Sequence, residues 1–245
     1  MKKTAFLIFA CLFFIQAFSQ ETVENPAIKN TTIKLPNRPG DHLMLQFSSD
    51  HWTGMPDSIS KHQSGFSKGF NAYFMFDKPF RSSPRYSIGF GLGISSSNII
   101  FKKMNVGIEG APPVLHFTPT DSTNHFQKYK LTTTYAEIPV EFRFTAKPDN
   151  VNKSLKAALG VKVGTLINVH TKGKTLQDKN NNTINSYTEK ISSKRFMNST
   201  RFTATARLGY GIVSVFGTYQ LNNLLKDGAG ADMKLYQIGI TLSGL

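Results

Sequence analysis

The chain has 245 residues, with 29 Lys and Arg against 15 Asp and Glu, and a formal net charge of +14. A strongly basic chain commonly binds nucleic acid or an anionic surface. The only cysteine is Cys11, so the chain beyond it offers no disulfide, thiolate metal site or cysteine nucleophile. The length suits one domain, including an all-β domain of about 200–250 residues.

The first twenty residues carry an export pattern. Lys2 and Lys3 precede an apolar stretch over residues 4–18, and Ala17–Ser19 has the small-x-small pattern that a signal peptidase recognises. The stretch is too short for a spanning helix, which needs about 20 apolar residues. We therefore predict a cleaved signal peptide over residues 1–19 rather than an uncleaved anchor. Export argues against nucleic acid as a partner and leaves lipid phosphates and acidic polysaccharide as counter-charges.

The next segment, residues 20–41, is polar, contains three prolines and lacks helical periodicity, so we predict an irregular periplasmic tail. From His42 onward, apolar residues alternate with small or polar ones, a period typical of strands with two unlike faces. In Tyr86–Ile94 large apolar residues alternate with Ser87 and three glycines. A face this small suits the inside of a narrow tube better than the outside of a soluble sandwich.

Eight segments follow this alternation, and most are about ten residues long, as a tilted membrane-crossing strand requires. They are 43–48, 70–77, 86–94, 135–144, 155–164, 202–208, 213–219 and 236–242. After residue 18 no apolar run is long enough for a spanning helix, so any membrane crossing must use closed strands.

Charged residues in these segments share the face of the glycines and hydroxyls. We predict that they form a luminal ion network of Glu137, Glu141, Arg143, Lys156, Lys162 and Arg207. A charge on the lipid face would cost about 2–4 kcal/mol at mid-membrane, whereas the lumen tolerates it. A soluble lipocalin-type barrel has the reverse polarity, with apolar residues lining the cavity. The pattern therefore favours a membrane protein.

Connections between the segments alternate in length. Short ones lie near 77–85, 147–154 and 210–211, and long ones near 53–65, 102–130, 171–199 and 222–232. An even-stranded membrane barrel has short periplasmic turns on one rim and long surface loops on the other. The predicted fold is thus all-β: an eight-stranded antiparallel up-and-down transmembrane β-barrel over residues 42–245, with long extracellular loops and short periplasmic turns.

Turn lengths also predict strand register. A two-residue hairpin loop at Tyr210-Gly211 would place Arg207 opposite Ser214. Pairing Phe144 with Leu155 across the preceding short turn would place Glu137 opposite Lys162. We therefore predict a luminal ion pair between Glu137 and Lys162.

Two short stretches resemble a known family. Tyr135–Val140 is similar to the YxEIP strand of PorT-like small outer-membrane barrels of the Bacteroidetes type. The closing segment, Tyr219–Gly228 followed by Leu235–Ile240, resembles the same family. As a pattern the resemblance extends over about residues 42–245. It implies an eight-stranded outer-membrane barrel domain, in a family of which one branch is tied to protein secretion.

The sequence offers little that indicates chemistry. Eight strands enclose a space that side chains such as Tyr73, Met75 and Phe216 would fill, which argues against a wide pore. The six histidines have no tight ligand spacing, so we predict no metal site and no cofactor. His51, Asp57 and Ser58 lie in one loop region, but no nucleophile motif frames them. We predict no catalytic residues.

The long connections are rich in lysine. We predict that these residues attract the phosphates of lipopolysaccharide or acidic glycans: Lys102, Lys103, Lys128, Lys130, Lys172, Lys174, Lys190, Lys194 and Arg195. The alternative, ordinary solvated loops on a basic protein, stays open because such attraction is long-ranged and unspecific.

The leading functional hypothesis is an integral outer-membrane barrel without enzymatic activity and with a structural, adhesive or assembly role at the cell surface. Expected partners are outer-membrane lipid, lipopolysaccharide and envelope proteins, but no nucleic acid. One alternative is a component of a protein secretion or transport apparatus. A second is a barrel enzyme with its site on the extracellular rim.

Overall fold

The computed structural model describes residues 43–110 and 113–243, and the predicted signal peptide and tail lie outside these residues. Within them are a short helix, α1 (Asp57–Ser60), a 3-10 turn over Val151–Lys153 and eleven strands. The strands are β1 (Leu43–Thr53), β2 (Lys68–Pro79), β3 (Tyr86–Phe101), β4 (Met104–Gly107), β5 (His116–Pro119), β6 (His125–Thr145), β7 (Leu155–Gln177), β8 (Thr183–Ser192), β9 (Thr200–Tyr210), β10 (Val213–Gln220) and β11 (Lys234–Ser243).

Strand pairing closes the main sheet on itself. The antiparallel order runs β1, β2, β3, β6, β7, β9, β10 and β11, and β11 then pairs with β1. We call these the ring strands. Closure leaves none of them with an unpaired edge, as a strand surrounded by lipid requires.

Three strands were not expected from the sequence: the described part of the chain has eleven strands rather than the predicted eight, and eight of the eleven form the ring. β4 and β5 form a separate hairpin, and β8 pairs with the far half of β7. Much of the predicted loops 102–130 and 171–199 is therefore strand. The period of two continues there, as in Tyr129, Leu131 and Thr133 against Lys128 and Lys130, but without large apolar residues on the outer face. β-branched and aromatic residues suit strands wherever their pleated surface is half buried.

The two faces of the ring differ in polarity. Leu92, Ile138 and Leu159 expose 61–67% of their surface on the outer face. Glu141 and Lys162, which point inward, expose at most 2%. We call the outward large apolar side chains of the ring strands the apolar belt. The polarity is that of a protein whose outer face meets lipid.

An apolar cluster closes the end of the ring from which the long connections emerge. It includes Trp52 at the end of β1, Phe101 at the end of β3 and Leu225 after β10, all at most 5% exposed. Backbone hydrogen bonds join separate connections there, such as Leu115 N to Ala229 O at 2.8 Å. These connections are thus packed together rather than separate solvated loops.

Both predicted registers are wrong by two residues. Glu137 lies opposite Gly164, and Lys162 lies opposite Pro139. In the β9–β10 hairpin the loop is Gly211-Ile212, so Arg207 lies opposite Phe216. Gly211 has φ +62°, which suits the first central position of a type II′ turn. A shift of two residues keeps every side chain on its face, since strand side chains alternate with a period of two.

Candidate functional site: a buried charge network and a basic outer groove

Glu137 is buried in the interior of the ring and connects several of its side chains. Its Oε1 accepts hydrogen bonds from Arg201 Nη2 at 2.6 Å and Nε at 3.0 Å, and its Oε2 accepts from the Tyr73 hydroxyl at 2.6 Å. Arg201 also lies over the Tyr135 ring, 4.1 Å from its centroid, and donates to Ser95 Oγ at 2.7 Å. Glu137 is therefore paired with a buried guanidinium through charge-assisted hydrogen bonds.

Lys162 connects to the same group through Tyr73. Its Nζ donates to the Tyr73 hydroxyl oxygen and to Gln46 Oε1, both at 3.1 Å, and lies 4.6 Å from the Tyr73 ring centroid. Lys162 and Glu137 thus share a partner although they are not opposite each other in the sheet.

A second carboxylate, Glu141, lies four residues further along β6, nearer the short connections. Its Oε2 accepts from Arg143 Nε and Arg207 Nη2, both at 2.9 Å. Arg143 Nη1 lies 3.4 Å from Asp77 Oδ1. We call Tyr73, Glu137, Glu141, Arg143, Lys162, Arg201 and Arg207 the luminal network. Each buried carboxylate in it is held by oppositely charged partners, as buried charges require.

All six charged residues predicted for the lumen are buried on the inner face, and five of them belong to the luminal network. The sixth, Lys156, lines a cavity of about 20 Å³ with Asp77, Arg143 and Arg207. That space is about enough for one water molecule. Side chains therefore fill most of the interior at this level.

Two buried charged residues of the lumen, Arg201 and Asp50, were missed because the predicted segments ended too early. Arg201 directly precedes segment 202–208 and shares the face of Thr203. Asp50 follows segment 43–48 on the face of Gln46, and its carboxylate accepts from Gln237 Nε2 at 2.9 and 3.0 Å. Continuing the alternation past the last apolar residue would have found both.

The glycines of β3 make room for large polar side chains. A Cβ at Gly89 would lie 2.5 Å from Arg143 Cζ, and one at Gly93 would lie 2.5 Å from Tyr73 Cδ1. The small face predicted for this strand is thus where network side chains from β2 and β6 cross the lumen.

The rim residues considered for enzyme chemistry are not joined into a site. His51 Nε2 lies 2.9 Å from Ser49 Oγ, and its ring stacks on Tyr236 with centroids 5.2 Å apart. Among the described residues, no hydrogen bond joins His51, Asp57 and Ser58. Over the same residues, no group of three or more His, Cys, Asp or Glu side chains could hold a metal ion.

Five of the nine predicted basic loop residues come together on the outer face of β6, β7 and β8. Lys128 lies opposite Lys174, Lys130 opposite Lys172, and Lys172 also opposite Lys190. Four of these lysines line an open cavity of about 420 Å³ together with Ile100 and Tyr129. We call this cavity the basic groove.

The other four basic residues lie elsewhere. Lys102 and Lys103 form the turn between β3 and β4, and Lys194 and Arg195 lie between β8 and β9. Arg195 packs over the Phe196 ring, 5.7 Å from its centroid. The sequence could not separate these two groups, because sorting them requires the unexpected β6–β7–β8 extension.

Electrostatics in the basic groove disfavours further positive charge. Burial and the neighbouring Lys172 and Lys174 lower the pKa of Lys130. Burial, Lys190, Lys130 and Lys172 likewise lower the pKa of His170. Both residues lie beyond the apolar belt, where water and headgroups are the surroundings.

A closed antiparallel sheet with an apolar outer face and a filled, charged interior is the architecture of an integral outer-membrane protein. Residues 41–226 match the family described as outer membrane protein beta-barrel domain, and the chain belongs to this family. The predicted outer-membrane localisation and all-β antiparallel class are confirmed at this level. The finer resemblance to PorT-like barrels stays a prediction.

Among solved structures, the chain is similar to Ail, the attachment invasion locus protein of Yersinia pestis, at 13% identity and a TM-score of 0.32, covering 82% of this chain and 94% of that one. Comparison with curated proteins gave no match. In the described part of the chain, no helix is long and apolar enough to span a membrane.

Proposed function

We propose that the chain is an eight-stranded transmembrane barrel of the outer membrane, without enzymatic activity, that serves a structural, adhesive or assembly role at the cell surface. The filled lumen carries this proposal. Its carboxylates Glu137 and Glu141 are held by Arg201, Arg207 and Arg143 within 3.0 Å, so among the described residues these acids are already engaged by buried partners. Such an interior supports folding rather than transport.

The long β6 and β7 strands favour a role at the surface. They have 21 and 23 residues, about ten more than a tilted membrane-crossing strand needs. With the short turns in the periplasm, this extension projects from the cell together with β8. Over the described residues β8 pairs on one side only, and an unpaired strand edge is a common docking site for another chain.

The secretion alternative rests on the family resemblance, whose most specific stretch is Tyr135–Val140. In the structure Tyr135 donates a hydrogen bond to Asn198 O and supports Arg201, Glu137 joins the luminal network, and Ile138 lies in the apolar belt. These roles build a barrel and do not point to secretion. Isolation of the chain in a stable complex with translocation proteins would favour the alternative.

The first experiment is electrophoresis of the isolated outer-membrane fraction, with and without boiling. A closed sheet has no edge from which to unzip, so we expect the unboiled protein to migrate as a compact band that shifts on boiling. A soluble periplasmic protein without a shift would overturn the barrel and favour a lipocalin-like binding protein.

The surface role needs a separate measurement. An epitope inserted at Asn181, in the tight turn between β7 and β8, should bind antibody on intact cells. The same epitope at Asp149, in the short connection between β6 and β7, should bind only after the outer membrane is opened. The reverse result would show that the orientation is wrong.

A further inference from the structure

The basic groove is a cluster of like charges without acidic partners. Within the described residues, the side chains of Lys128, Lys172 and Lys174 make no ion pair or hydrogen bond, and Lys130 Nζ donates only to the neutral Asn98 Oδ1 at 2.6 Å. The nearest acid in the extension, Glu189, lies opposite Gly173, at a position that alternates with the lysines and therefore belongs to the other face.

Facing lysines destabilise a sheet. Like charges directly opposite each other on one face repel, and this groove has two such pairs between β6 and β7. The pKa of Lys130 is lowered chiefly by burial and then by the repulsion of the Lys172 and Lys174 ammonium groups. A bound anion with more than one charge would remove this repulsion and supply acceptors for several ammonium groups at once.

The distance of the groove lysines beyond the apolar belt indicates which kind of lipid headgroup could supply the anion. The last large exposed apolar residue of β7 is Ile167, and Lys172 is five residues further along the strand. With a rise of about 3.3 Å per residue and a tilt of about 40°, this places Lys172 roughly 13 Å beyond the belt. An ordinary phospholipid headgroup region is only about 5–8 Å deep. A larger, sugar-based headgroup reaches this level.

We propose that the basic groove binds the phosphorylated sugar headgroup of lipopolysaccharide in the outer leaflet, with Lys130, Lys172 and Lys174 contacting its phosphates. This rests on the proposed orientation, with the long connections outside the cell. The groove would fix the rotation and height of the protein relative to the surrounding lipid. Ile100, which lines the groove beside the lysines, supplies apolar surface against which a sugar ring can pack.

Binding is measured with the full-length folded protein in non-ionic detergent, titrated with lipopolysaccharide. The K130Q/K172Q/K174Q variant should bind about 100-fold more weakly, because each lysine near an anionic lipid headgroup contributes roughly fivefold. The matched control K102Q/K103Q/K194Q removes the same charge from outside the groove and should bind as the unmodified protein does. Phosphatidylglycerol and inorganic phosphate are the comparison ligands and should bind at least tenfold more weakly.

Several outcomes would overturn the groove as a binding site. These are equal binding by the triple variant, an equal loss in the control, or equal affinity for phosphatidylglycerol or inorganic phosphate. A band that shifts on boiling without lysine-dependent binding refutes this inference alone, whereas loss of the shift in the unmodified protein refutes the proposed function.

A second readout separates a binding role from a structural one. Without lipopolysaccharide, K130Q/K172Q should unfold at a denaturant concentration equal to or higher than the unmodified protein, because it removes facing like charges. Added lipopolysaccharide should raise the midpoint of the unmodified protein but not that of the variant. A variant that is less stable without lipopolysaccharide would show that the lysines support the fold instead.

Discussion

Glu137 illustrates how a single buried charge is tolerated in the lumen. It is 2% exposed and receives hydrogen bonds from Arg201 and Tyr73. Taking a carboxylate out of water is costly, and the cost is recovered only with close partners of good geometry. Removing one partner of such a pair leaves the other charge buried and uncompensated, so the residue is more sensitive to substitution than any charge on the surface.

We expect Glu137→Gln to lower the free energy of unfolding by about 3–5 kcal/mol, since it leaves Arg201 buried without its counter-charge. Equilibrium unfolding in urea, in detergent or lipid, measures the change. Glu109→Gln removes the same charge from an exposed position and should change stability by less than about 0.5 kcal/mol. Equal effects would show that Glu137 is solvated.

His170 gives a pH-dependent prediction. Burial and then Lys190 hold its pKa below the ordinary value of 6.5, so the folded protein binds fewer protons there than the unfolded chain. The stability due to neutral His170 is therefore present above about pH 6.5 and lost as the pH falls through the lower, folded pKa. Lys190→Gln should raise this pKa toward 6.5, as measured by NMR titration with the resonance assigned by His170→Gln. Lys226→Gln should leave it unchanged.

At the scale of elements, β3 makes room in the lumen because its inward-facing residues are small. Ser87, Gly89, Gly91, Gly93 and Ser95 alternate with outward apolar residues, and side chains from the neighbouring β2 and β6 lie across the glycines. A strand with small inward-facing residues leaves space for large inward-facing side chains on the neighbouring strands. The filling of the lumen thus depends on complementary faces of adjacent strands rather than on any one of them.

Gly93→Ala tests this complementarity. Its Cβ would lie 2.5 Å from Tyr73 Cδ1 and 2.6 Å from Tyr73 Cα, so the backbone itself must shift. We expect a loss of about 1–3 kcal/mol, typical of overpacking, and a smaller heat-shifted fraction on gels. Gly65→Ala, where no atom lies within 4 Å of the new Cβ, is the matched control. Equal stability of the two variants would show that the lumen can expand.

At the scale of the whole molecule, the polarity of the closed sheet decides its surroundings. Large apolar residues cover the outside of the ring, and charged residues fill the inside. Beyond the belt, an apolar cluster under the long connections forms a second interior of ordinary soluble character. The molecule therefore combines a section built for lipid with a section built for water.

Leu159→Lys places a charge in the middle of the apolar belt. We expect it to cost about 2–4 kcal/mol in lipid vesicles, as measured by urea unfolding. Leu221→Lys changes another exposed leucine just after β10, at the margin of the belt, and should cost about 0–1 kcal/mol. Similar costs at the two positions would mean that the outer face does not meet hydrocarbon.

The sequence by itself determined which face of each strand each residue occupies. Alternation is a local property of extended chain, so Ile138 could be assigned outward and Glu137 inward without knowing any partner. The same reasoning identified the outer-membrane class, because charge on one parity and large apolar groups on the other suit only a closed sheet in lipid.

Only the tertiary structure decided which residues lie opposite each other in neighbouring strands and which side chains pair across the lumen. A two-residue register shift leaves every face unchanged, so alternation could not distinguish Gly164 from Lys162 as the residue opposite Glu137. The pairing of Glu137 with Arg201 depends on side chains crossing a lumen whose shape is set by all the ring strands. The basic groove likewise exists only because β6 and β7 continue beyond the belt. Contacts between residues far apart in the chain depend on how the whole sheet closes, and the sequence of a single strand does not determine that.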